Sequence, residues 1–197
     1  LGDATIDQLV EYLSHPNGWW RMNAQRLLID RADKAALASL GKMANHPTQP
    51  LGRLHALWTL EGMGALQTDQ IEKALTDPIA GVRENAIRLA ELHLEEAPQL
   101  AKALLALQKD PDPKVRFQLV LTLGFLNSEE ASKVRHALLL QDVEDEWVQI
   151  AALSASSSQA PALLDVVLGN FKKEVPAYAS LVRRLTSMIG AAGEPGA

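Results

Sequence analysis

Residues 75–90 read LTDPIAGVRENAIRLA, and this stretch contains the pattern that decides the fold. Asp77 is a residue type that caps helix N-termini, and Pro78 suits the first helical position, where no backbone donor is needed. The two residues therefore predict that a helix begins here. Its apolar side chains recur at helical spacing on one face, and they are Val82, Ala86, Leu89 and Ala90. A similar apolar stripe precedes the turn, so the unit is a pair of helices.

The same pattern recurs along the chain at a nearly constant spacing. Each copy has a turn residue, usually before a proline, followed by an arginine or glutamine. The arginine and glutamine positions are Arg21, Arg53, Arg83, Arg116 and Gln149, with steps of 32, 30, 33 and 33 residues. Three residues further on are Ala24, Ala56, Ala86, Leu119 and Ala152, so four of the five copies keep a small side chain there. Repeats of this length with two helices each are typical of stacked helical solenoids.

The segment 77–86, DPIAGVRENA, resembles HEAT repeats of the short bacterial class, whose pattern is Asp-Pro-x-x-x-Val-Arg-x-x-Ala. The resemblance covers roughly residues 6–156 and implies an all-α fold, a right-handed α-α superhelix of five to six helical hairpins. We expect one array over 1–189, in which 160–189 form an atypical C-terminal capping hairpin, followed by a disordered tail at 190–197. Because unrelated activities occur on this scaffold, the motif says little about function.

A second resemblance is confined to about the first third of the chain. The segments 15–21 (HPNGWWR), 24–28 (AQRLL) and 54–62 (LHALWTLEG) look like the helical part of large bacterial membrane-bound dehydrogenase-like fusion proteins. In that family a glucose/sorbosone-dehydrogenase-like propeller precedes the HEAT repeats, and a c-type cytochrome domain often follows them. The resemblance implies a larger, exported, redox-active host in which this segment is a connector or docking platform. A periplasmic or exported location follows from the same resemblance.

No catalytic residue carries over from that family, whose chemistry belongs to propeller residues and a Cys-x-x-Cys-His haem motif. The chain has no cysteine, which excludes disulfides, thiolate metal sites and Cys-attached haem. It also lacks the serine-hydrolase, P-loop and dinucleotide fingerprints. We therefore expect a non-catalytic chain with no cofactor and no metal. The chain begins Leu1-Gly2 without a methionine, which suggests a piece of a longer polypeptide; a free-standing protein would instead be cytoplasmic.

Charge and hydropathy narrow the class of partner. The formal net charge is −5, and an acidic surface argues against nucleic acid because phosphate binding needs a basic one. No run approaches the ~18 apolar residues of a membrane span, so we expect no membrane contact by this segment. The remaining partners are proteins, either separate polypeptides or neighbouring domains of the same one.

In this fold the second helix of each hairpin lines the concave face. Positions two and five residues after the arginine or glutamine should point into that face, and the polar or aromatic residues there are Asn23, Arg26, His55, Trp58, Asn85, Arg88 and Gln118. Such residues could grip an extended peptide or a neighbouring domain through amide, guanidinium and indole contacts. The alternative is a solvated inner face on which Trp58 packs sideways, and the sequence leaves both open.

Three other groups of residues have structural interpretations. The repeated arginines could form a basic stripe, but bonds to the backbone and to acids of adjacent turns are more common in such repeats. His15 and His46 occupy the turn position that aspartate holds elsewhere, which predicts helix capping or turn packing rather than metal binding. The acidic loop 142–146 could attract calcium, but it lacks the spacing of a calcium loop and suits the start of a helix.

Two other functions occur on similar helical arrays. A HEAT-like DNA glycosylase holds damaged DNA against a concave cluster, which the acidic composition opposes. A protein resembling the phycobilin-lyase type would hold a chromophore, and no residue of this sequence favours it. We therefore expect a non-catalytic scaffold or protein-docking module.

Overall fold

A computed structural model describes residues 1–155 and 157–193 of the chain. Those residues form α-helices joined by short turns, with two 3₁₀ segments, Leu107–Lys109 and Ser157–Gln159. The α-helices are α1 (Ile6–Tyr12), α2 (Gly18–Arg31), α3 (Ala36–Ala44), α4 (Pro50–Gly62), α5 (Thr68–Leu75), α6 (Ala80–Leu92), α7 (Leu100–Ala106), α8 (Pro113–Leu123), α9 (Glu129–Gln141), α10 (Glu146–Leu153), α11 (Ala160–Gly169) and α12 (Pro176–Ala192). The all-α class predicted from the repeat is confirmed.

The chain forms two compact units, Leu1–Leu100 and Ala101–Ala197. In the first unit α1 packs on α2, α3 on α4 and α5 on α6, while α2, α4 and α6 lie side by side. Near its start α2 contacts α4 through Arg21 and His55, and near its end Ile29 lies against Gly62. The two helices therefore run in the same direction, as successive second helices of a solenoid do.

The second unit is built in the same way. Helices α8, α9 and α10 pack against one another, and α11 packs on α12. Helix α9 also contacts α11, and α10 contacts α12. First helices therefore lie next to first helices, and second helices next to second helices.

Both cores are packed mainly through leucine, alanine and valine. The apolar residues predicted on one face of α6 are all buried: Val82, Ala86, Leu89 and Ala90. The position three residues after the arginine or glutamine is also buried in every copy: Ala24, Ala56, Ala86, Leu119 and Ala152. A small side chain there allows close approach of the neighbouring helix, which accounts for its recurrence.

The start of α6 differs from the prediction. The helix begins at Ala80 with Ile79 as its cap, so Asp77 and Pro78 lie in the turn before it. The Asp77 carboxylate accepts a hydrogen bond from the Ile79 N–H at 2.9 Å and also binds Arg53. The carboxylate thus closes the turn and meets the guanidinium, and it does not cap the helix itself.

Histidines make the same turn contact in the first two hairpins. His15 Nδ1 accepts from the Asn17 N–H at 3.0 Å, and His46 Nδ1 accepts from the Thr48 N–H at 3.4 Å. The structural role predicted for these two histidines is confirmed. Since Nδ1 is the acceptor in both, the neutral ring carries its proton on Nε2.

Helix α12 runs to Ala192 and ends at Gly193, whose φ of 65° suits glycine. Residues 190–192 are therefore helical, while 194–197, the rest of the expected tail, lie outside the described residues. The single array over 1–189 and the capping role of its last hairpin remain predictions. None of the helices in the described ranges is long and apolar enough to cross a membrane.

Candidate functional site

The predicted concave residues of the first unit lie on three neighbouring helices, α2, α4 and α6. We call them the ridge, and they are Asn23, Arg26, His55, Trp58, Asn85 and Arg88. Each helix contributes one residue two positions after its arginine and one residue five positions after it. The helices lie side by side, so these residues lie on neighbouring elements of the first unit.

Trp58 and Asn85 are brought together directly. The Trp58 Nε1–H donates to Asn85 Oδ1 at 3.0 Å, and Asn85 Nδ2 donates to the Gly81 carbonyl at 2.8 Å. Both side chains are half-buried. Trp58 therefore turns its indole N–H sideways toward α6, and any contact with a ligand would use the ring.

His55 is bound to α2 through both ring nitrogens. Arg21 Nε donates to His55 Nε2 at 3.1 Å, and His55 Nδ1 lies 2.7 Å from Gln25 Oε1. Because the guanidinium can only donate, Nε2 is the acceptor and Nδ1 carries the proton. Burial, reinforced by the charge of Arg21, lowers the pKa of His55 below its ordinary value of 6.5. The ring thus joins two helices while neutral.

Acidification should therefore weaken the fold. Below pH 6.5 the unfolded chain takes up a proton at His55 that the folded chain resists, so the free energy of unfolding falls as pH drops from 6.5 toward the lowered pKa. His136, whose pKa burial and Arg135 also lower, contributes in the same direction. Urea unfolding between about pH 7.5 and 5 should show a shallower loss of stability for His55→Gln. An unchanged pH dependence in that variant would contradict the assignment.

On α2 the ridge adjoins an apolar patch. Arg26 is exposed and lines a shallow cavity of about 250 Å³ with Met22 and Ile29. Met22 is 68% exposed and Trp19 is 60% exposed. Neither residue is among the positions that the repeat predicts for the concave face, although the place of Met22 one residue after Arg21 could have indicated it.

The remaining predicted residues differ in accessibility. Arg88 is exposed and donates to Glu84 Oε1 at 2.9 Å on its own helix. Asn23 Nδ2 donates to the Trp19 carbonyl at 2.8 Å. Gln118 belongs to α8 of the second unit, where it is 6% exposed and donates to Thr122 Oγ1 at 3.3 Å. Gln118 is therefore an interior residue rather than part of an open surface.

The repeated arginines hold the turns together. Each donates from Nη1 to the carbonyl oxygen six residues earlier, and the acceptors are His15, Pro47, Asp77 and Asp110. Arg53 also binds the Asp77 carboxylate of the next hairpin, at 2.7 and 2.8 Å. The predicted structural use of these arginines is thus observed.

Arg116 repeats this arrangement in the second unit. It binds both carboxylate oxygens of Asp142, at 2.8 and 2.9 Å. The hydrogen bond to Asp142 raises the pKa of Arg116, which burial partly opposes. Asp142 therefore forms an ion pair with an arginine of the preceding hairpin.

No group of three or more His, Asp or Glu side chains among residues 1–155 and 157–193 is placed to hold a metal ion.

Comparison with known proteins places the chain among helical-repeat folds. A family model for HEAT repeats matches residues 68–157, the part with the most regular spacing. The crystal structure of an engineered protein is similar with a TM-score of 0.51 and 18% identity, over 95% of this chain and 99% of that one. At that identity the likeness shows the fold alone. None of the curated proteins matches this chain in sequence.

Two designed armadillo repeat proteins show weaker likeness. One, in complex with the peptide (KR)4, has a TM-score of 0.47 and 17% identity over 92% of this chain and 99% of its own. The other has a TM-score of 0.48 and 17% identity over 94% of this chain and 100% of its own. The stacked helix pairs and the HEAT match over residues 68–157 define a helical-repeat fold. None of these comparisons supports the resemblance of 15–62 to dehydrogenase-like fusion proteins.

Proposed function

We propose that the chain is a non-catalytic docking module whose ridge binds an extended polypeptide segment. The Trp58–Asn85 pair carries this proposal. One amide proton of Asn85 goes to Gly81 and one lone pair accepts from Trp58, which leaves one donor and one acceptor on the same amide. A peptide group offers the complementary C=O and N–H, and the half-buried indole beside it provides an apolar contact.

The charge of the ridge favours a protein partner. Arg26 and Arg88 are its charged side chains, and Glu84 neutralises Arg88. The net charge of −5 opposes binding to nucleic acid phosphates. The exposed Trp19 and Met22 extend the ridge with apolar area, which is where protein contacts gain most of their affinity.

The ridge can be tested with peptides selected from a random library on the intact chain. Replacing Trp58 and Arg88 by alanine together should raise the Kd of a ridge-binding peptide about 30-fold, or about 2 kcal/mol. A second double variant, Trp58→Phe with Arg88→Ala, keeps most of the aromatic packing at position 58. It therefore shows whether a higher Kd comes from lost contacts with the peptide or from a loss of folded protein. Trp147 is 69% exposed in the other unit, so Trp147→Ala is the matched control and should leave the Kd unchanged. Unchanged affinity in folded ridge variants would refute the site.

The finer proposal is that this module belongs to a larger, exported dehydrogenase-like protein and docks its neighbouring domains. Its support is the resemblance of residues 15–62 to such proteins. An immunoblot of source cells with an antibody to this chain tests it. A band far above 21.4 kDa in the exported fraction would support the proposal, whereas a cytosolic band near that mass would exclude it.

A further inference from the structure

Arg135 on α9 is a buried cation without a carboxylate partner. It is 1% exposed, and its Nε is buried without a hydrogen-bond partner. None of the acidic side chains in residues 1–155 and 157–193 forms an ion pair with it. Burial alone lowers the pKa of Arg135. Because a guanidinium stays charged in a protein, a positive charge lies buried here that no described side chain neutralises.

The unpaired Nε belongs to the edge of the guanidinium that other arginines of this chain use for a carboxylate. Arg53 and Arg116 each donate from Nε and Nη2 together to one aspartate. In Arg135 the Nη2 atom donates to Gln159 Oε1 at 2.5 Å, and Nε on the same edge has no acceptor in the described part of the chain. A neutral amide oxygen therefore occupies half of an edge that suits an anion.

This edge lies at a small cavity between α9 and the start of α11. Arg135, Gln159 and Ala160 line the cavity, and its other walls are alanine, leucine and methionine side chains. Its volume is about 10 Å³, which is enough for one water-sized particle and too little for a polyatomic ligand. Any anion that reaches the Arg135 guanidinium must therefore be monatomic.

The start of α11 adds a second source of positive potential. Gln159 is the N-cap residue of this ten-residue helix, its side chain makes no capping hydrogen bond, and the first turn contains no acidic residue. A helix N-terminus carries a partial positive charge that favours an anion. Gln159 Nε2 donates to no group within the described ranges. The amide is half-buried, and if it turns over, Nε2 becomes a further donor toward the cavity.

We propose that this cavity binds a chloride ion. The ion replaces the Gln159 oxygen at the Nε–Nη2 edge of Arg135, and the turned amide donates to it from Nε2. Three N–H donors then surround one monatomic anion. The displaced oxygen leaves the room that chloride needs beyond that of a water molecule.

The ion neutralises Arg135 and joins α9 to the start of α11, so it stabilises the packing of the last hairpin. This site lies in the second unit and uses no ridge residue. Its success or failure is therefore independent of the function proposed for the ridge.

Urea unfolding of the intact chain tests for the ion. Sodium gluconate is replaced stepwise by sodium chloride at constant ionic strength, so that only the anion changes. For a Kd on the order of 10 mM, about 0.1 M chloride should raise the folding equilibrium constant about tenfold. The folded protein should also broaden the ³⁵Cl NMR line, with the same Kd. A folding equilibrium constant that stays unchanged up to about 0.3 M chloride, or the absence of ³⁵Cl broadening, would overturn the proposal.

Variants locate the ion. Gln159→Glu places a carboxylate at the same edge on a side chain of equal length, so this variant should be more stable than wild type without chloride and should lose the chloride response. Arg135→Met removes the cation and should lose the response as well. Arg183 is exposed on α12, so Arg183→Met is the matched control and should keep the full response. If Arg135→Met does not fold, Gln159→Glu still decides, since a wild-type chloride response in that variant contradicts the proposal.

Discussion

Replacing Arg53 by methionine should lower the free energy of unfolding by about 3–5 kcal/mol. The side chains of Arg53 and Asp77 are 7% and 9% exposed and are joined by two hydrogen bonds. Methionine keeps much of the apolar stem but removes the guanidinium, so the Asp77 carboxylate stays buried without its counterion. The carbonyl oxygens of His46 and Pro47 lose a donor as well. Urea unfolding followed by circular dichroism measures the loss.

Two further variants show whether this loss comes from the pair. Adding Asp77→Asn to Arg53→Met removes the uncompensated charge, so the double variant should lose less than the sum of the single losses. Lys133 and Glu129 form an ion pair whose side chains are 72% and 83% exposed, and Lys133→Met should leave stability unchanged within error. If Arg53→Met lowered the free energy of unfolding by less than about 1 kcal/mol, the Arg53–Asp77 ion pair would contribute no more than an exposed ion pair does. That result would contradict its structural role.

Leu89→Ala should lower the free energy of unfolding by about 2–5 kcal/mol, the usual range for truncating a buried leucine. Leu89 is 0% exposed on α6, and truncation leaves a cavity between the packed helices. The same unfolding assay measures it.

Leu92 is the matched control because it lies on the same helix, three residues later, and is 59% exposed. Leu92→Ala should change stability by no more than about 0.5 kcal/mol. Equal losses for the two variants would mean that the buried face of α6 is assigned to the wrong residues.

Helix pairing could be predicted from the sequence because it rests on local and periodic signals. The spacing of the arginines indicates the repeat length, and the apolar stripe that includes Val82 and Ala86 predicts the buried face of α6. The structural use of His15 followed from its place in the turn. These features depend on residues close in the chain, whose geometry the helix and turn determine.

Contacts between hairpins were harder to predict. The sequence predicts that Asp77 caps the start of α6. In the structure its carboxylate instead binds Arg53, which lies 24 residues earlier. The sideways turn of Trp58 toward Asn85 depends on how far apart α4 and α6 lie, which no periodicity specifies. The burial of Gln118 likewise depends on packing, because a polar residue at a surface position of one repeat can be interior in another.

The central claim, that the ridge is the protein-binding face, is tested most directly by site-specific photo-crosslinking in source cells. A benzophenone amino acid placed at Arg26 or Arg88, both exposed on the ridge, reports any polypeptide bound there. The same amino acid at Trp147, exposed outside the ridge, is the control. We predict a discrete crosslinked polypeptide from positions 26 and 88 and none from 147. Crosslinks from 147 alone, or from none of the three, would contradict the account.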